Sequence, residues 1–146
     1  MAKHMNVINL DMDGTIADLY GVEGWLNDLT NSNPRPYIVA KPLINMSALA
    51  RKLNQLINRG YKINIISWLS KCSNPEFDEL VTNAKLNWLK KHLKSVKFEN
   101  IHIVPYGTPK HTLENGILFD DEKGNRDKWI GKAYDVDDII GVLNRL

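Results

Sequence analysis

Apolar positions fall into short blocks and longer helical stripes along the chain. Val7–Leu10 is a brief apolar run with β-branched members, and such a run suits a strand buried on both faces; the Asp13-Gly14 pair then turns the chain. From Met46, the positions Met46, Leu49, Ala50, Leu53, Leu56 and Ile57 recur at three and four, and Gly60 stops them, which predicts an amphipathic helix. Tyr61–Ile66 reads as the next buried strand. Asn74 or Pro75 opens a second helix running to about Leu93, with Phe77, Leu80, Val81, Ala84 and Trp88 on one face. Ile101–Val104 and Gly116–Phe119 read as two further strands, the latter followed at once by Asp120 and Asp121. Last, Asp135 is placed to cap a helix in which Val136, Ile139, Ile140 and Leu143 align, with Asp137 and Asp138 in its first turn, where the helix dipole favours acids.

Strand and helix alternate, so the pattern predicts one α/β domain over 1–146: a parallel sheet with helices on both faces and its site at the strands' carboxyl ends. Residues 17–42 break the rhythm. Gly21, Gly24, Pro34, Pro36 and Pro42 are interspersed there with Trp25, Leu26, Leu29 and Tyr37. The expectation is a small cap insert over the end of the first strand, helical near Val22–Leu29. No internal repeat or low-complexity tract is present. Met1–His4 precede a second methionine and are given no part in the fold.

Composition adds limits. A chain of 146 residues has room for one sizeable core, and 43% hydrophobic with 25% charged residues is ordinary for a globular protein. Nineteen basic residues against 17 acidic give a net charge of +2, which selects no partner. The one local basic set, Lys85, Lys90, Lys91, Lys94 and Lys97, is either a recruiting surface for an anion or a solvated helix face. The single cysteine, Cys72, excludes an intramolecular disulfide, and no basic-then-apolar signal or membrane span is evident, so a cytoplasmic setting is expected. His92, His102 and His111 have no metal-ligand spacing, and no histidine arrangement beside Cys72 makes it a nucleophile.

The acids carry the chemistry. Two carboxylates after one strand and two after another repel unless a cation sits between them. An all-oxygen set without a His or Cys cluster suits Mg²⁺, which completes its shell with water and a phosphate. A carboxylate can also attack a phosphoryl group to give an aspartyl-phosphate, while a second acid on the same face of the extended chain moves the proton. Asp11 and Asp13 have that spacing. Ser67, at the end of the second strand, and Lys110, in a loop before Asp120, are candidates to hold the phosphoryl oxygens. Taken singly, each has an ordinary alternative: a turn, a loop serine, a solvated lysine, a helix cap. Together they follow strand ends in one order.

That order, Asp11-Met12-Asp13-Gly14-Thr15, then Ser67, Lys110 and Asp120-Asp121, resembles the four motifs of the haloacid dehalogenase superfamily. The resemblance implies a three-layer, Rossmann-like fold and Mg²⁺-dependent phosphomonoester hydrolysis. It implies Asp11 as nucleophile and Asp13 as acid/base, with Asp11, Asp13 (through its backbone carbonyl), Asp120 and Asp121 around the metal. A finer similarity is to the 5′(3′)-deoxyribonucleotidases: "DMDGTIAD" to Asp18, "KLNWLKKHL" over Lys85–Leu93 and "KHTLENGILFDD" resemble their segments. It implies a nucleoside monophosphate as substrate and adds Lys85 to Ser67 and Lys110 as a phosphate contact, the alternative being that Lys85 is helix surface. The stretch between Asp18 and Ser67 is shorter than in the animal enzymes, and Trp68 stands where they have a second hydroxyl residue.

Trp25 and Trp68, with Tyr20 and Tyr37, either stack on a base or seal the insert onto the domain. Three functions follow from these readings: a nucleotidase; a phosphatase acting on a nucleic-acid end or another phosphorylated metabolite; and a non-catalytic binding module, which the retained acids disfavour. A short insert also leaves part of the cleft for a partner subunit, so a homodimer is an expectation.

Overall fold

A computed structural model describes residues 6–146; Met1–His4 lie outside the described residues. Five strands form the main sheet: β1 (Val7–Leu10), β4 (Lys62–Trp68), β5 (Asn100–Val104), β6 (Ile117–Phe119) and β7 (Ala133–Tyr134). All pairings are parallel, in the order β5-β4-β1-β6-β7. The chain builds outward from β1 through β4 to β5, then returns to the other side of β1 as β6. The strand order therefore reverses between β1 and β6, and open α/β sheets have their crevice at such a switch point.

The longest helices, α3 (Met46–Asn58) and α4 (Pro75–His92), start where the sequence places them. The side chains of Asn45 and Asn74 cap them, accepting from the Ala48 and Phe77 N–H groups. Leu49, Leu53 and Leu56 of α3 and Trp88 and Leu89 of α4 pack on Ile8, Leu10, Ile63 and Ile65. The other face is covered more thinly: Ile66 and Leu118 pack on Trp129, which follows the short helix α5 (Lys123–Lys128). That face also carries a polar ladder. Asn9 donates to the carbonyls of Asn115 and Ile117, Asn64 donates to Asn9, and Asn64 accepts the Asn100 N–H, so a row of amides buried inside the sheet is satisfied across four strands.

Several elements differ from the sequence pattern. Leu80 is 49% exposed, since the buried stripe of α4 runs through Phe77, Val81, Ala84, Lys85, Trp88 and Leu89 and leaves Leu80 at its margin. The last helix is broken: Asp135 caps a 3₁₀ turn (Val136–Asp138), and Asp138 then caps α6 (Ile139–Asn144) by accepting from Gly141. Helix α5 and strand β7 carry no apolar periodicity long enough to predict them.

The insert is framed by a two-residue antiparallel pair, β2 (Ala17–Asp18) with β3 (Lys41–Pro42). It holds two helices rather than one, α1 (Trp25–Thr30) and α2 (Arg35–Val39), and α1 begins three residues later than expected, after Gly24 in a left-handed conformation. Leu19, Leu29 and Tyr37 seat it on Phe77, Val81 and Ala84 of α4, and the Trp88 indole donates to the Ala40 carbonyl at 2.8 Å. The insert is thereby packed against α4 over the carboxyl end of the sheet.

Candidate active site

The register of β1 against β6 pairs Leu10 with Phe119, so the next residues, Asp11 and Asp120, emerge side by side at the switch point. The chain then turns tightly. The Met12 carbonyl accepts the N–H groups of Thr15, Ile16 and Ala17, and Gly14 adopts φ +81°. A side chain at Gly14 would run into the carboxylate of Asp121. Only a glycine fits there without strain.

Lys110 reaches this point from the 3₁₀ turn Lys110–Thr112. Its ammonium donates to Asp11 Oδ1 at 2.9 Å and to Asp120 Oδ2 at 2.7 Å. The Thr15 hydroxyl donates to the other oxygen of Asp11, Oδ2, at 2.9 Å and accepts the Asp121 N–H at 3.2 Å. The two oxygens of Asp11 thus face different partners. Asp120 is completely buried and also accepts from Asn125 at 3.1 Å and from the Glu122 N–H at 2.9 Å, while Arg126 holds its backbone carbonyl at 3.0 Å. Asn125, Arg126 and Thr15 are supports that sequence reasoning missed as site residues. For the first two no signal existed, because α5 has no apolar stripe; Thr15 was visible in the Asp-Gly-Thr element.

Asp11, Asp120 and Asp121 each bring a carboxylate oxygen to within 4.8 Å of one another. The expected four carboxylates are three, because Asp13 turns its side chain the other way. Lys85 donates to Asp13 Oδ2 at 2.7 Å and to Ser67 Oγ at 2.6 Å. Lys85 is 1% exposed, so it is separated from the exposed Lys90, Lys91, Lys94 and Lys97 and is no part of a helix surface. Ser67 is buried as well.

One cation among three carboxylates leaves negative charge in excess. Burial, then the charge of Asp11, raises Asp120 to about 6 against the pull of Lys110, and the same two causes raise Asp121 to about 8. Burial also raises Asp13, with Lys85 opposing and Asp11 adding. Burial would lower Lys110, but Asp11 and Asp120 outweigh it and hold the ammonium above its ordinary value. The excess negative charge that pushes these carboxylates upward is what a bound cation would neutralise in the protons' place, and an all-oxygen donor set fits a hard one such as Mg²⁺.

A cleft of about 250 Å³ opens from these acids and lies between the insert and the sheet. Asp11, Asp13, Lys110 and Asp120 form its floor. Tyr20, Trp25 and Tyr37 of the insert and Trp68 and Tyr106 of the sheet side line its walls. Tyr20 meets Trp25 edge-on at 5.0 Å, and Trp68 meets Tyr106 at the same distance. The Trp68 indole donates to the Thr108 carbonyl, and Lys110 sits 5.4 Å from the Trp68 ring centre. Trp25 and Trp68 are thus both at the cleft, and Tyr37 seals the insert as well. Tyr106 went unrecognised in the sequence because it lies in a loop without a motif. The exposed thiol of Cys72 is at the cleft too, and His102 pairs with Glu114, away from the acids.

No protein-family profile matches the sequence, and no curated protein matches it. Among solved structures, the chain is similar to the D,D-heptose 1,7-bisphosphate phosphatase from Burkholderia thailandensis, with a TM-score of 0.55 and 13% identity over 96% of this chain and 97% of that one. The likeness spans both proteins nearly end to end. The fold is α/β and Rossmann-like, as the motif order implied.

Proposed function

We propose that this protein is a Mg²⁺-dependent phosphomonoester hydrolase, with a nucleoside monophosphate as its substrate. The observation that carries the reading is Asp11 itself: a buried carboxylate at the switch point, held by Lys110 on one oxygen and Thr15 on the other, with Asp13 two residues on. The phosphatase named among its structural neighbours supports the same reaction class.

In this reading Asp11 attacks the phosphorus and the bond to the ester oxygen breaks. Asp13, whose raised affinity for a proton suits the task, gives its proton to the leaving oxygen. Water then attacks the aspartyl-phosphate and returns a proton to Asp13, which frees orthophosphate and Asp11. Lys110, which lines the cleft, would hold the phosphoryl oxygens, with the buried Ser67 hydroxyl as the second candidate. Asp11, Asp120 and Asp121 would hold Mg²⁺, Asp13 adding its backbone carbonyl; the ion supplies charge neutralisation between the anionic substrate and the nucleophile.

The aromatic walls favour a nucleobase over a heptose, because planar rings stack on Tyr and Trp whereas the hydroxyls of a polyol find few hydrogen-bond partners on aromatic faces. The small cleft also suits one mononucleotide better than a strand. A nucleic-acid end or another phosphorylated metabolite is the competing substrate. Among the described residues no helix is long and apolar enough to cross a membrane, and the free thiol of Cys72 accords with a cytoplasmic setting. Orthophosphate release from mononucleotides, sugar phosphates and 5′- or 3′-phosphorylated oligonucleotides, with Mg²⁺ and with chelator, tests the proposal. Mononucleotides should turn over fastest, and only with the metal. Equal release with chelator removes the metal, and preference for a sugar phosphate removes the nucleotide. Sedimentation of the same preparation tests the homodimer.

A further inference from the structure

Lys85 was expected to contact the substrate's phosphate, yet it lies off the cleft and already holds two partners. An ammonium has three N–H donors and no acceptor. Asp13 Oδ2 takes one at 2.7 Å and Ser67 Oγ a second at 2.6 Å, while the ammonium sits 4.8 Å from the centre of the Tyr37 ring, within cation–π distance. The side chain is 1% exposed, and neither Lys85 nor Ser67 is among the residues lining the cleft, whereas Asp13 and Lys110 are. To touch a phosphate in the cleft, Lys85 would have to leave this buried position.

We propose that Lys85 is a positioning residue that fixes the Asp13 carboxylate and the Ser67 hydroxyl and makes no contact with the phosphate. The inference rests on Asp13 being the acid/base of the proposed hydrolysis. Its partners come from three segments: Asp13 from the turn after β1, Ser67 from the end of β4, and Tyr37 from α2 of the insert. The ammonium draws the Asp13 carboxylate away from the cluster of Asp11, Asp120 and Asp121, so that it stays available to the leaving oxygen. By donating to Ser67, it also fixes that hydroxyl, which is buried and off the cleft lining like Lys85 itself. Through Tyr37, whose ring centre is 4.8 Å from the ammonium, the insert also packs against the group that holds Asp13.

Kinetics of the wild type, Lys85→Gln, Asp13→Asn and the double variant separate this from phosphate binding, with orthophosphate inhibition as the second readout. Lys85→Gln should lower kcat by about 10- to 100-fold, part of what Asp13 itself supplies, with the orthophosphate inhibition constant changed by less than about threefold. In the Asp13→Asn background the further loss should fall to about threefold or less, since two groups acting in one step are not additive. Additive losses, or an orthophosphate constant weakened by about tenfold with kcat retained, overturn the proposal. Should Lys85→Gln not fold, the lysine ammonium ¹⁵N resonances of the wild type and Asp13→Asn carry the test. Asp13→Asn should move the Lys85 signal, and orthophosphate with Mg²⁺ should move Lys110 but not Lys85. A Lys85 signal that follows orthophosphate, or ignores Asp13→Asn, refutes the assignment. A wild type without phosphatase activity would instead refute the proposed hydrolysis, and the effect of Asp13→Asn on the Lys85 signal would still be readable.

Discussion

The carboxylate of Asp121 occupies the space in which a side chain at Gly14 would stand. Two positions at opposite ends of the chain are thereby locked together, and the contact exists only because β1 and β6 are neighbours in the sheet. Gly14→Ala must strain a backbone at φ +81° and also push Asp121 aside. A non-glycine residue in that region costs about 1–3 kcal/mol. Chemical denaturation should show a loss of that size, and calorimetry should show weakened Mg²⁺ binding; undiminished Mg²⁺ affinity would mean that Asp121 is not a ligand.

Lys110 is the cation on which two buried carboxylates depend. Lys110→Met leaves Asp11 and Asp120 unpaired, and removing one partner of a buried ion pair typically costs about 3–5 kcal/mol. Denaturation of the metal-free variant should show that loss, and Mg²⁺ should restore part of it. A variant as stable as the wild type would show that the pair contributes nothing.

The raised acids give stability a definite pH dependence. Asp121 binds its proton more tightly in the folded chain, at about 8, than in the unfolded one, at the ordinary 3.8, and Asp120, at about 6, acts in the same direction. Their contribution is therefore fully present below 3.8 and is lost as the pH rises through about 8. In chelator, Tm should carry a falling component across that window, and saturating Mg²⁺, which takes the protons' place, should raise Tm more at its upper end. A Mg²⁺-induced shift that is constant with pH would contradict this.

Asp11→Asn removes the attacking oxygen's charge and should abolish phosphate release; activity that persists undiminished places the nucleophile elsewhere. Asp13→Asn removes proton transfer, which is typically worth about 10²–10⁴-fold, so kcat should fall by that order while KM stays within a few-fold. Steady-state kinetics on one mononucleotide distinguishes the two.

If the aromatic walls hold a base, Trp25→Ala and Trp68→Ala should each raise KM for a mononucleotide by about tenfold, since one base stacked on one ring is worth about 1–3 kcal/mol. Orthophosphate inhibition should change little. An equal rise of KM for glycerol phosphate would indicate that these rings shape the cleft rather than read the base.

Local sequence determined the parts whose physics is local. An apolar run followed by Asp-x-Asp-Gly-Thr makes a strand and a tight turn whatever surrounds it, and the stripe from Met46 to Ile57 makes a helix because a 3.6-residue period buries one face. Such signals placed Asp11, Asp13, Ser67, Asp120 and Asp121 at strand ends and Lys110 in the loop before Asp120. The tertiary structure decided which of them face each other. Asp13 and Lys85 are 72 residues apart and Lys110 and Asp11 are 99 apart, so nothing in either neighbourhood shows that one lysine closes on the nucleophile and the other on the acid two residues beyond. The same holds for Asn125 and Arg126, on a helix without an apolar face, and for Leu80, whose exposure depends on where the stripe of α4 meets the insert. A side chain's partner in a buried site is fixed by strand order and helix docking, which bring distant segments within a hydrogen bond's length, and a local pattern does not encode that distance.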